Sequence, residues 1–158
     1  MNRFARNTLI GAVIAVCAAG VAMAAADPAV GTWTLNAAKS HFSKGHGIKS
    51  ETRTYAETAD GTSVSVTGVA EDGSAIKQSA TWKYDGKDYP VTGWKNADTI
   101  ALKKVNGSTV SSTLKSAGKP VTTSVRTISA HGKVMTLTSK STDDKGHPIT
   151  DTDVFDKQ

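Results

Sequence analysis

The chain has 158 residues, 19 Lys+Arg against 14 Asp+Glu for a formal net charge of +5, and one cysteine. One cysteine excludes an internal disulfide framework, and a modest basic excess without interleaved aromatics excludes a nucleic-acid footprint. The length suits one domain large enough to bury its own core.

The N-terminus reads as a secretory signal. Arg3 and Arg6 precede an apolar stretch over residues 9–21, which is shorter than the roughly 20 residues a spanning helix needs. Ala22-Met23-Ala24 and Ala24-Ala25-Ala26 offer small-residue cleavage sites, and the first acid, Asp27, follows at once. We expect a signal peptide over residues 1–26, cleaved near 24–26, and a single domain over residues 27–158. Cys17 follows Val16 in mid-apolar run, so lipidation is not expected. Cleavage removes Cys17, Arg3 and Arg6, leaving a thiol-free chain of net charge +3. The mature protein is expected in the periplasm or secreted, monomeric and not membrane-spanning.

After the signal the chain is punctuated by turns. Asp60-Gly61, Asp72-Gly73, Asp85-Gly86, Asn106-Gly107, Gly118, His131-Gly132 and Gly146 recur every 11 to 14 residues, with one gap of 21. Asp-Gly and Asn-Gly favour tight hairpins because both positions tolerate positive φ. The segments between are rich in Val, Thr, Ile, Tyr and Trp, which fit a pleated surface. Strands are expected at 31–36, 50–57, 62–70, 75–84, 88–92, 99–105, 109–115, 121–129, 134–141 and 149–156. A break at Pro90/Gly93 accounts for the long gap. The one helical candidate, residues 37–42, is a short cap after the first strand. This is an all-β pattern, an antiparallel up-and-down barrel of about 8–10 strands.

Alternation places one apolar face on each strand, as in Val64/Val66, Ile76/Ala80/Trp82, Ile100/Leu102, Val110/Leu114 and Val121/Val125, with polar residues opposite. One apolar face argues for a sheet closed around one interior. An outer-membrane barrel fits poorly. The apolar face is interrupted by Thr and Gly, no aromatic girdle recurs, and the last residue is Gln158.

Val30-Gly31-Thr32-Trp33-Thr34-Leu35-Asn36, followed by Lys39-Ser40 and Phe42, resembles the Gly-x-Trp opening of calycins, the lipocalin and fatty-acid-binding barrels. The segment Tyr84-Asp85-Gly86-Lys87-Asp88-Tyr89-Pro90-Val91-Thr92-Gly93 is similar to one in uncharacterised, signal-bearing, lipocalin-like bacterial proteins. Gly132-Lys133-x-Met135-Thr136 and the terminal Val154-Phe155-Asp156-Lys157-Gln158 extend the likeness over the whole mature chain. The resemblance implies that Gly31 and Trp33 close one end of the barrel under a cation, Lys157 or Arg126. Fatty-acid-binding barrels hold a carboxylate with Arg-x-Tyr on the last strand. Asp153-Val154-Phe155 stands at that place here, so a fatty-acid carboxylate is not the expected ligand.

Chemistry-bearing clusters are sparse. His41 and His46 sit in a lysine-rich segment without enough convergent donors for a metal. His131 and His147 read as turn residues, and Asp143-Asp144 and Asp151/Asp153 as acidic turns. There is no G-x-S-x-G nucleophile elbow and no Gly-rich loop ahead of a helix. No catalysis, metal or cofactor is expected. The aromatics Tyr55, Trp82, Tyr84, Tyr89 and Trp94 are candidates to line a barrel mouth and stack on a small hydrophobic or aromatic ligand. Arg126 is the candidate for a polar contact if it faces inward beside Ile128, and points to water if Val121 and Val125 face inward instead. The expected function is a lipocalin-like carrier of a small, mostly apolar ligand. The alternative is a barrel with a filled core that acts through its surface as an envelope or stress-related interaction module.

Overall fold

A computed structural model describes residues 26–143 and 145–158; the expected signal peptide lies outside them, apart from residue 26. The chain forms ten strands: β1 (Gly31–Leu35), β2 (Ile48–Thr58), β3 (Gly61–Ala70), β4 (Ala75–Trp82), β5 (Asp85–Thr92), β6 (Thr99–Lys104), β7 (Thr109–Ser116), β8 (Lys119–Ile128), β9 (Val134–Thr142) and β10 (Pro148–Lys157). Each pairs antiparallel with the next, and β1 closes on β10, giving an up-and-down barrel with no free edge. The closing register sets Trp33 opposite Lys157 and Leu35 opposite Phe155.

Turn chemistry fixes the hairpins. The Asp72, Asn106 and Asp143 carboxylate or amide oxygens accept from the backbone N–H two residues on, at 2.8–2.9 Å. These side chains thus replace the bonds that the turning backbone cannot make. Asp85-Gly86 differs from expectation. It opens β5 and sits in a register shift against β6, so it bends the strand and does not join two of them.

Pro90 also lies inside β5 and does not break it, opposite Thr99 of β6. Its missing N–H falls where the β4–β5 seam is short, only Ser79↔Thr92 and Ala80↔Val91 being paired there. The expected helical cap shrinks to a 3-10 turn, Ala37–Lys39. Beyond it His41 bridges to Thr152, each backbone N–H reaching the other's carbonyl at 2.8 Å. The helix cannot lengthen because the chain is already committed to β10.

The outer face carries exposed Lys77, Lys103 and Lys140 among Ser and Thr. Among the described residues no helix is long and apolar enough to cross a membrane. Inside, Trp33, Phe155, Met135 and Val66 are the largest fully buried side chains.

Candidate ligand-binding chamber

The interior divides into a packed floor and a chamber above it. The floor lies where β1 begins and β10 ends. There Trp33 is fully buried, its indole N–H donates to the Ala29 carbonyl at 2.7 Å, and the Lys157 ammonium lies 5.0 Å over its ring. Gly31 has φ +125°, and a side chain there would meet Lys157 Cε at 2.8 Å. Glycine lets the lysine stem cross the strand to reach the indole.

The segment before β1 seals the same end. Asp27 is buried, accepts from the Ala29 N–H at 3.0 Å, and accepts from the Tyr84 hydroxyl. Arg126 donates to the Tyr84 oxygen at 3.0 Å, lies 3.7 Å from Asp27, and stacks 5.0 Å over the Tyr55 ring. Burial raises the Tyr84 hydroxyl above its ordinary range, Arg126 opposing and Asp27 adding to it. Burial pulls Arg126 down, but Tyr55, Tyr84 and Asp27 outweigh it, so the guanidinium is held charged.

Above this floor is a chamber of about 370 Å³, at the small end of ligand pockets, which run about 300–1,000 Å³. Its walls differ by side. Val64 of β3, Trp82 of β4, Ile100 and Leu102 of β6, and Val110 and Leu114 of β7 make a mainly apolar wall, with Gln78 of β4 and Ser112 of β7 among them. Thr122 and Ser124 of β8, Ser139 and Ser141 of β9, Asp151 and Asp153 of β10, and Arg53 of β2 face it. Trp94 and His46 also line the chamber. His46 lies 3.9 Å from Asp151, which accepts from the Ser43 N–H at 2.6 Å.

Two charged groups govern the polar wall. Arg53 donates to Glu51 at 2.5 Å and lies 5.2 Å over the Phe155 ring. Burial opposes its charge, but Glu51 and then Tyr55 hold the guanidinium ionised above the usual arginine range. Asp153 is 6% exposed. Burial pushes its carboxyl up to about 6; Arg53 opposes this, while Glu51 and Asp151 add to it.

Among the described residues four buried side-chain polar atoms lack a hydrogen-bond partner. Three of them, Trp82 Nε1, Arg126 Nε and Asp153 Oδ1, belong to residues that line the chamber. A buried polar atom left unpaired costs about 1–3 kcal/mol, and native interiors hold few of them. The three atoms themselves have almost no accessible surface, so they lie within the wall that their residues form.

The sequence-selected residues are divided by this architecture. Tyr55, Trp82, Trp94 and Arg126 line the chamber. Tyr84 is absent from the lining and lies under Arg126 as part of the floor. Tyr89 is also outside the lining, its hydroxyl donating to Asp85 at 3.0 Å. Gly31, Trp33 and Lys157 meet at the closed end.

On β8 the inward row is Thr122, Ser124, Arg126 and Ile128. The Val121/Val125 apolar face is overturned, Val125 being 46% exposed. Val and Thr have nearly the same shape, so the strand has little apolar contrast, and the pairing of Arg126 with Asp27 and Tyr84 decides the register. Asp151 and Asp153 lie within β10, as the strand expected at 149–156 has them and against their reading as an acidic turn, and both line the chamber. Their i, i+2 spacing was the available signal, since it puts both on one face of a strand. Arg53 and Asp27 were not singled out, and neither stands in a motif.

No protein-family model matches the chain, and no curated protein matches it. Among the described residues no group of three or more His, Cys, Asp or Glu comes together. His147 meets Asp143 at 2.9 Å, but both stand on an exposed turn away from the chamber.

Proposed function

We propose that this protein is an exported, monomeric calycin-type barrel that carries a small amphiphilic molecule in its interior. The observation that carries the reading is a 370 Å³ interior chamber that is walled by Trp82, Trp94 and aliphatic side chains on one side and by Asp153 and wall hydroxyls on the other. The sidedness of those walls shifts the ligand from mostly apolar to two-faced, with an apolar body against Ile100 and Leu102 and polar groups toward β8–β10. Binding would proceed by desolvation, with the polar wall fixing orientation, and no chemical step is assigned to it.

Native mass spectrometry of the protein purified from its own cell envelope tests this. A retained small molecule, released on unfolding, is the expected result. Absence of any bound species, together with unchanged Trp fluorescence across extracts and lipid panels, would overturn the carrier and favour the filled-core interaction module.

A further inference from the structure

The charges inside the barrel narrow the chemistry of the ligand, given the carrier reading above. The two arginines that reach the chamber are each committed to a carboxylate, Arg53 to Glu51 at 2.5 Å and Arg126 to Asp27 at 3.7 Å. Asp151 is engaged by the Ser43 N–H at 2.6 Å and has His46 at 3.9 Å. Asp153 is left over. It is 94% buried by its 6% exposure, it lines the chamber, and its Oδ1 has no partner among the described residues. Although the protein as a whole is basic, its chamber therefore carries an uncompensated acid.

We propose that the chamber selects a small protonated amine with an aromatic or apolar body, its ammonium on the Asp153 carboxylate. An ammonium supplies the donors that Asp153 lacks and restores the missing positive charge, forming a charge-assisted bond in a low-dielectric site. Trp82, Trp94 and Tyr55 line the same chamber and offer aromatic surface to the body of the ligand. A carboxylate ligand would meet Asp153 as a like charge, and the arginines are already paired.

The charged and titratable groups on the elements around Asp153 are Arg53 and Glu51 of β2, Asp151 of its own strand, Arg126 of β8 and His46 of the mouth; β9 offers only Leu137, Ser139 and Ser141 to the chamber. With the Asp153 carboxyl titrating near 6 in the free protein, a cation binds more tightly as pH rises from 5 to 7. Binding weakens again on acidification.

Isothermal titration of the mature protein with four compact probes tests the proposal: tyramine, 2-phenylethylamine, 4-ethylphenol and 3-(4-hydroxyphenyl)propionate. Tyramine and 2-phenylethylamine, which both carry the ammonium, are expected to bind. The neutral phenol and the carboxylate should each fall at least tenfold below tyramine. In Asp153→Asn the advantage of tyramine over 4-ethylphenol should vanish together with its pH dependence, while 4-ethylphenol binding stays within about twofold. Equal or tighter binding of the phenol or the carboxylate in the wild type would overturn the amine assignment and leave the carrier standing. Binding of none of the four would count against both.

Discussion

The two ends of the barrel interior follow opposite rules. At the floor, shape and charge are matched: an indole N–H has its carbonyl, a lysine covers the ring, and a buried acid has both an arginine and a tyrosine. In the chamber a buried acid stands with an unpartnered oxygen, and hydroxyls face an apolar wall across open space. The unpartnered buried atoms of the chamber wall are a cost to stability that the floor does not carry. Arg126 belongs to both, its Nη2 bonded to Tyr84 in the floor and the residue part of the chamber wall.

The comparison breaks most readily at Trp33. Trp33→Ala should cost about 3–5 kcal/mol, as for other large aromatic truncations in a core, read as a drop in the urea midpoint. A loss below about 1 kcal/mol would mean the floor is not the stabilising end.

Asp153→Asn should move stability the other way. The folded carboxyl titrates at about 6 against 3.8 for the unperturbed group. The folded state thus holds the proton more tightly, and stability is lost as pH rises from about 4 through 6. At about 1.4 kcal/mol per pKa unit, the neutral isostere should recover up to about 3 kcal/mol at pH 7. Its stability should also be flat across that window in parallel denaturant titrations at pH 4 and 7. A destabilised Asp153→Asn at pH 7 would show that the carboxylate is structural.

The smallest effect is expected at Lys157→Met, which keeps the stem across Gly31 and removes the charge over Trp33. A loss of about 0.5–1 kcal/mol is expected from the cation–π contact, and thermal melts of the two proteins would measure it. No change would assign the closure of that end to packing alone.

Much of the fold was legible because turns and aromatics have few alternatives. Asp72-Gly73 and Asn106-Gly107 bend the chain as their chemistry dictates, and Trp33 has too much apolar surface to lie anywhere but inside. The chamber was harder to read. Along β8, Thr122, Ser124 and Val125 suit either face of a sheet, so the direction of Arg126 depended on partners 42 and 99 residues away, Tyr84 and Asp27. Asp153 falls inside the strand expected at 149–156, but it reads as a turn acid because buried, unneutralised carboxylates are rare. That its side chain faces the interior is what no local pattern announces.

The seam between β1 and β10 also governs how the molecule comes to exist. Because the first strand pairs with the last, Trp33 opposite Lys157, the cylinder cannot shut until synthesis of the whole polypeptide is complete. Until then β1 and the growing end expose unpaired N–H and C=O groups, ready templates for intermolecular association. Such long-range closure is slow, on the order of milliseconds to seconds. A chain cut short of Phe155 would lose both the partner of Leu35 and a fully buried side chain, leaving two sticky margins where the finished molecule has none.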